Sequence, residues 1–314
     1  MRRLLVAAER PPLRAALIDE DGRLEGFWKF AAGRDSLIGD RFLGRVRTVD
    51  RAVDAAYVDI GLERPGFLPF DRCPRPPVEG QAILVAVTRD PVPGKGVRLT
   101  ARLEEGVAAP AGARPPLRLT GDRPLPRLVN KVGHDIDVLV DARRPAEVLN
   151  ILASASGAFR VQHMPQRDWP TSMAEIEAEA TAATEARVEL SSGGWLLFEP
   201  CWALTVVDVN SGATQAAGGE RTWLRTNLEA AEELARQLRL RNIGGIVVVD
   251  FIDMKSPENR REVADTLRVA VKNDWEPCWV GTMSRLGLVE MSRRRSGPPL
   301  SEMLKPPKDT TPRT

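Results

Sequence analysis

Histidine is almost missing from this sequence: among 314 residues only His134 and His163 occur. Each lies in a segment without other catalytic-looking groups, which disfavours acid–base catalysis by a histidine pair and leaves carboxylate and metal chemistry open. Cysteine is nearly as scarce. Cys73, Cys201 and Cys278 lie far apart and form no CxxC pair, which argues against a disulfide framework or a thiolate zinc site and for small buried side chains. No apolar run approaches the ~18 residues of a membrane span. Met1 to Ala8 opens like a secretory signal, but Glu9 and Arg10 come too soon; the segment reads as a strand and the protein as cytoplasmic, with no membrane partner. Neither charge dominates, since 45 Lys and Arg face 43 Asp and Glu. Net charge therefore announces no polyanion, although Arg293-Arg294-Arg295 leaves a local basic surface open. The phosphate loops GxGxxG and GxxxxGK are absent too, against a nucleotide-binding α/β enzyme.

What is present is a globular composition, 43% apolar and 28% charged, on a chain long enough for two or three domains. Residues 1–35 read as two or three strands around Asp21-Gly22. Ser36 to Leu103 is dense in strand signals (Phe42 to Val49, Ala55 to Asp59, Ala82 to Val87) and suits a small barrel. Glu104 to Arg127 is rich in Pro, Ala and Gly and marks a linker or boundary. Beyond it come a strand at Ile136 to Val140, a short helix at Pro145 to Leu152 and an Ala/Glu-rich helix at Ala174 to Ala186.

The C-terminal third is the most legible. Trp195 to Phe198 and Ala203 to Val209 are expected strands. Leu224, Leu228, Ala231, Ala235 and Leu238 recur at helical steps, so Thr222 to Arg239 is an amphipathic helix. Ile246 to Val249 is an apolar strand of the kind buried on both faces. Strand, helix, strand implies a parallel pair joined by a right-handed crossover. A further helix starts at Pro257 behind a Ser256 cap and runs to about Lys272. Strands near Cys278 to Met283 and Leu288 to Met291 follow, and Lys305 to Thr314 reads as a disordered tail.

Asp208 and Asp250 each end an apolar strand of that parallel unit, so both carboxylates should emerge at the carboxyl edge, where open α/β sheets bind ligands. Close carboxylates repel unless a cation lies between them, and hard oxygens suit magnesium. Asn210, two residues on, points to the same face if the strand continues, where it could orient a water or hydrogen-bond a phosphate. The structural alternative stays open: strand-end acids often cap the next helix or face solvent.

At this point the residues resemble a known family. Leu204-Thr205-Val206-Val207-Asp208-Val209-Asn210-Ser211-Gly212, Thr226-Asn227-Leu228-Glu229-Ala230-Ala231 and Ala235-Arg236-Gln237-Leu238-Arg239-Leu240-Arg241 resemble the catalytic core of the ribonuclease E/G family. So do Gly244-Gly245-Ile246-Val247-Val248-Val249-Asp250-Phe251-Ile252-Asp253-Met254 and Ser284-Arg285-Leu286-Gly287-Leu288-Val289-Glu290-Met291-Ser292-Arg293. The resemblance implies a mixed α/β (α+β) fold with three parts. An RNase H-like subdomain is split over 1–35 and 104–187, an S1-type OB barrel spans 36–103, and a DNase I-like catalytic subdomain spans 188–304. It further implies magnesium (manganese also fits) held by Asp208 and Asp250, with Asn210 positioning the scissile phosphate or the water. The implied partner is single-stranded RNA, hydrolysed to 5′-phosphate and 3′-hydroxyl ends in RNA processing or decay. Leu43-Gly44-Arg45-Val46, Gly66-Phe67-Leu68-Pro69 and Lys95 to Thr100 resemble the barrel. There Tyr57 and Phe67 either stack bases or fill the core, and Lys95 meets the backbone. Arg285 and Arg293 are further candidates for RNA contact. Asp253 reads equally well as a cap or a site residue.

The sequence also departs from that family. The Arg-Thr pair of its 5′-monophosphate pocket has no counterpart between 104 and 187, and Pro277 stands where a further pocket arginine is expected. Without guanidinium forks, bidentate phosphate recognition is lost. Where a CPxC-type zinc link is expected, after about 304, the sequence reads Lys305-Pro306-Pro307-Lys308. Neither zinc nor a zinc-linked dimer is expected, and the oligomeric partner stays open. Two readings remain: a metal-dependent endoribonuclease, or an RNA-binding protein that kept the fold and cleaves poorly.

Overall fold

The computed structural model describes residues 1–9, 12–30, 37–91, 94–103, 107–120, 124–133, 136–141, 159–212 and 219–305. In chain order it opens with strands β1 (Arg2–Ala7), β2 (Leu13–Ile18) and β3 (Leu24–Phe30). Then come β4 (Arg41–Asp50), β5 (Ala55–Asp59), β6 (Gly66–Pro69), β7 (Ala82–Arg89), β8 (Arg98–Thr100) and β9 (Leu117–Thr120). Helix α1 (Pro124–Val132), β10 (Ile136–Val140), β11 (Phe159–His163) and α2 (Met173–Ala182) follow. The last part holds β12 (Arg187–Glu189), β13 (Trp195–Pro200), β14 (Leu204–Asn210), α3 (Glu220–Leu240), β15 (Gly245–Asp250) and α4 (Pro257–Ala270). It closes with β16 (Cys278–Val280), β17 (Leu288–Arg293) and α5 (Leu300–Met303). The helix expected at Pro145 to Leu152 and most of the expected tail fall outside the described residues. No described helix is long and apolar enough to cross a membrane.

Two compact units emerge, Arg34–Leu128 and the remainder. In the first, the long β4 pairs with both β5 and β7, and β5–β6–β8–β7 completes a closed five-stranded barrel, as the β-dense block leads one to expect. Closure brings backbones together at Gly44, where a Cβ would lie 2.5 Å from a Val58 methyl, so only glycine fits. The barrel core is Phe42, Val46, Val58, Leu68, Val85 and Leu99. The unit reaches Leu128, beyond residue 103, because β9 adds to β4 through Leu43↔Leu117. The Pro-rich stretch read as a linker thus contains a strand.

In the second unit, β1 to β3 with β10 and β11 form a sheet of order β11-β10-β1-β2-β3, and β12 to β17 a sheet of order β12-β13-β14-β15-β17-β16. The larger sheet lays Leu196, Phe198, Val207, Val209, Val247 and Val249 against Ala230, Ala231, Leu234 and Leu238 of α3 and against Val263 and Leu267 of α4. Each fully buried Val, Leu or Phe among them contributes roughly 1.5–3 kcal/mol. Ser256 caps α4, its hydroxyl accepting from Asn259 N at 3.3 Å, and Pro257 fills the first turn. β15 is not covered on both faces, contrary to its apolar sequence: Ile246 is 54% exposed. Its long side chain on a half-open sheet face gave no signal distinguishable from burial.

The arginines of the Ala235 to Arg241 motif serve this unit's cohesion. Arg236 donates to the Leu24 carbonyl at 2.7 Å, Arg239 to Glu25 at 2.8 Å, and Arg23 pairs with Glu233 at 2.8 Å. They fasten α3 to the smaller sheet. Arg241 stacks over Phe198 at 4.3 Å, and burial lowers its pKa to about 10.

Candidate active site

β14 and β15 run parallel, and their register makes Asp208 and Asp250 direct cross-strand partners. Paired residues share a face, so both carboxylates leave the carboxyl edge side by side. Asn210 lies on that face as well, and its amide donates to Asp208 Oδ2 at 2.5 Å. Burial and the negative charges of Asp208 and Asp253 push the Asp250 carboxyl up. Two carboxylates side by side fit a cation between them, and their hard oxygens fit magnesium or manganese. No three described His, Cys, Asp or Glu side chains are grouped to hold a metal.

The surrounding motif residues set this edge. Asn227, fully buried on α3, grips the backbone beyond Asp250 twice: its amide donates to the Ile252 carbonyl at 2.8 Å, and its Oδ1 accepts Ile252 N at 3.0 Å. Glu229 accepts from Ser191 N and Ser192 N at 2.5 and 3.0 Å, closing the turn before β13. The expected apolar stripe on α3 therefore rotates. Leu224 and Leu228 are half-buried while Thr226 and Asn227 are buried in their place. Gly287 (φ +81°) closes the turn from Ser284, and a Cβ there would lie 2.9 Å from the Phe251 carbonyl and 3.2 Å from Asp253 Oδ1. Asp253 thus points back at the site, and the exposed Arg285 rides on the same turn.

The other expected site residues fall differently. Tyr57 and Phe67 pair across β5 and β6 with ring centroids 5.8 Å apart, half-exposed and outside the barrel core. Arg98, which sequence reading passed over, lies 5.9 Å above Phe67. Lys95 is exposed. Arg293 does not belong on an RNA surface, a correction to the sequence reading. Its side chain is 0% exposed, paired with Asp274 at 2.8 Å and donating to the Ile243 carbonyl at 3.0 Å. Its basic neighbours hid this commitment: Arg294 is exposed but pairs with Glu276, and Arg295 turns to the Gly244 carbonyl. Sequence reading also missed Arg187, whose guanidinium stacks on Trp195 at 4.0 Å. The only local signal was a hairpin turn, Ser191 to Gly194, between them.

A family model described as the ribonuclease E/G family matches residues 129–296. Ribonuclease E of Haemophilus influenzae is 29% identical over 401 residues, covering 96% of this chain and 42% of its own length. Ribonuclease G of Escherichia coli is 29% identical over 398 residues, covering 96% and 81%. Ribonuclease E of Nostoc is 46% identical over 129 residues, covering 41% and 19%. The chain thus spans less than half the length of these ribonuclease E relatives. The two longer alignments exceed its own 314 residues, so those relatives carry segments that it lacks.

Proposed function

On the premise that the chain belongs to the ribonuclease E/G family, we propose that it is a metal-dependent endoribonuclease. It hydrolyses single-stranded RNA to 5′-phosphate and 3′-hydroxyl ends in the cytoplasm, in ribosomal or messenger RNA processing or decay. The observation that carries this reading is the Asp208↔Asp250 register with Asn210 bonded to Asp208 on the same face. Asp208 and Asp250 would hold magnesium or manganese, which supplies a Lewis acid that sharpens water as a nucleophile and offsets charge gathering on the phosphate. Asn210 holds the Asp208 carboxylate in one orientation and presents the rest of its amide to the scissile phosphate or the attacking water. Asp253 adds negative charge beside Asp250 and favours cation capture. Arg285 stands at the rim to meet the RNA backbone. In the barrel unit, the outward Tyr57 and Phe67 with Arg98 form a base-stacking patch, and Lys95 adds a cation.

Activity is tested with a short fluorogenic single-stranded RNA, comparing wild type with the Asp208→Asn/Asp250→Asn double variant. Magnesium-dependent cleavage lost in the variant supports the enzyme. RNA binding without cleavage by wild type, across several sequences, would favour the alternative of a non-cleaving RNA-binding protein. The reading includes cleavage without 5′-end sensing, because no Arg-Thr pair was found between 104 and 187 and Pro277 stands where a pocket arginine is expected. Equal rates on 5′-hydroxyl and 5′-monophosphate substrates are expected. A large monophosphate preference would sink that part.

A further inference from the structure

The face that carries the two carboxylates continues across β13 to β12. The register runs Arg187↔Leu197 and Leu197↔Asp208, then Asp208↔Asp250, so these side chains stand in one transverse row on one face. At ~4.8 Å per strand, the Arg187 Cα is about 10 Å from that of Asp208. Next to this row Trp195 pairs with Asn210, and a Cβ on Gly212 would touch its ring at 3.4 Å. Trp195 is therefore fixed against the backbone that follows Asn210. Arg187 sits over that indole, its carbon Cζ 4.0 Å from the ring centroid, while about half of its side chain stays exposed.

The geometry points to Arg187 as a phosphate-binding residue for the strand being cut, meeting its backbone beside the scissile phosphate. The inference rests on the endoribonuclease reading and adds a subsite to it. Two features favour this role over a purely structural one. A guanidinium stacked on an aromatic ring has already lost the rotamer freedom that phosphate capture would otherwise cost. Its one carboxylate partner among the described residues, Glu189 at 2.6 Å, is itself mostly exposed, so water screens the pair and a phosphate can displace it. A guanidinium here would join Arg285 in meeting the RNA backbone at an edge that Asp208, Asp250 and Asp253 otherwise make acidic.

The test is fluorescence anisotropy of a short labelled oligouridine with the full chain, in EDTA so that nothing is cut, over a series of salt concentrations. Each phosphate contact on single-stranded nucleic acid contributes about 0.7 to the slope of log K against log salt. Arg187→Gln should lower that slope by about 0.7 and weaken binding roughly three- to tenfold at moderate salt. Arg187→Lys should keep the slope, since the charge remains, yet lose part of the affinity because an ammonium does not stack in the same way. A structural role alone would shift the melting temperature and leave the slope unchanged. A wild-type slope in Arg187→Gln overturns the inference, whether or not the affinity of that variant falls. Wild type that neither binds nor cleaves oligouridine would instead overturn the endoribonuclease reading itself, which keeps the two failures distinct.

Discussion

The two faces of the six-stranded sheet come from the same strands and could hardly differ more. On one, Val207, Val209, Val247 and Val249 are sealed under α3 and α4. On the other, Ile246 is 54% and Trp279 61% exposed, and Asp208 and Asp250 close the row at the carboxyl edge. Alternate residues of one strand thus do separate work: odd positions of β15 hold the sheet, even positions are available to a ligand. Charge at an even position should affect chemistry, and volume at an odd position should affect stability.

The largest break in this division is expected at Asp250. Asp250→Asn should lower cleavage by about 10²–10³-fold while leaving the denaturation midpoint unchanged or raised, since one of two repelling carboxylates is gone. A parallel collapse of stability would show that the open face carries fold as well as chemistry.

Asn227 crosses the division, because it is buried on α3 yet holds the loop beyond Asp250. Asn227→Ala leaves the Ile252 N–H and carbonyl without their partner, at a cost of roughly 2–4 kcal/mol. Urea unfolding reads that loss, and cleavage should fall with it even at temperatures where the variant is fully folded. Cleavage intact in a destabilised but folded variant would reduce Asn227 to a core residue.

A sharper contrast lies within β15. Val249→Ala should destabilise by about 2 kcal/mol through the cavity it leaves, whereas Ile246→Ala, on the open face, should cost under about 1 kcal/mol. Equal losses in the two would mean that Ile246 is covered in solution.

How much of this was legible beforehand follows the same line. The elements around the site were readable because helix period, the Ser256-Pro257 cap and the strand–helix–strand order are local signals. The pairing of Asp208 with Asp250 needed only the crossover rule. The burial of β15 was misread because Ile-Val-Val-Val carries no alternation, and only the one-sided placement of α3 and α4 reveals which residues face out. Arg293 was misread for a related reason: its partner Asp274 is 19 residues away, and a run of three arginines looks alike whether paired or free. Arg187 on Trp195 was invisible because a cross-strand stack depends on hairpin register, which the turn residues suggest but do not fix.

The smallest effect concerns the sealed side, at the point where α3 is fastened to the smaller sheet. Burial pushes Glu233 up, but Arg236, Gln237 and Arg23 outweigh it, and the carboxyl is held below the ordinary glutamate value of 4.5. A carboxyl with a lowered folded pKa contributes stability above its unfolded pKa and loses it as pH falls through the folded value. Wild type should therefore exceed Glu233→Gln in urea midpoint at neutral pH. The gap should hold down to about pH 4.5 and narrow below it as Glu233 takes up a proton. Asp250, shifted the opposite way on the open face, is present in both proteins and cancels from this difference. A gap that stays constant into acid would mean that the arginine contacts on Glu233 are screened, and that α3 is held to the smaller sheet by Leu240 and its apolar neighbours alone.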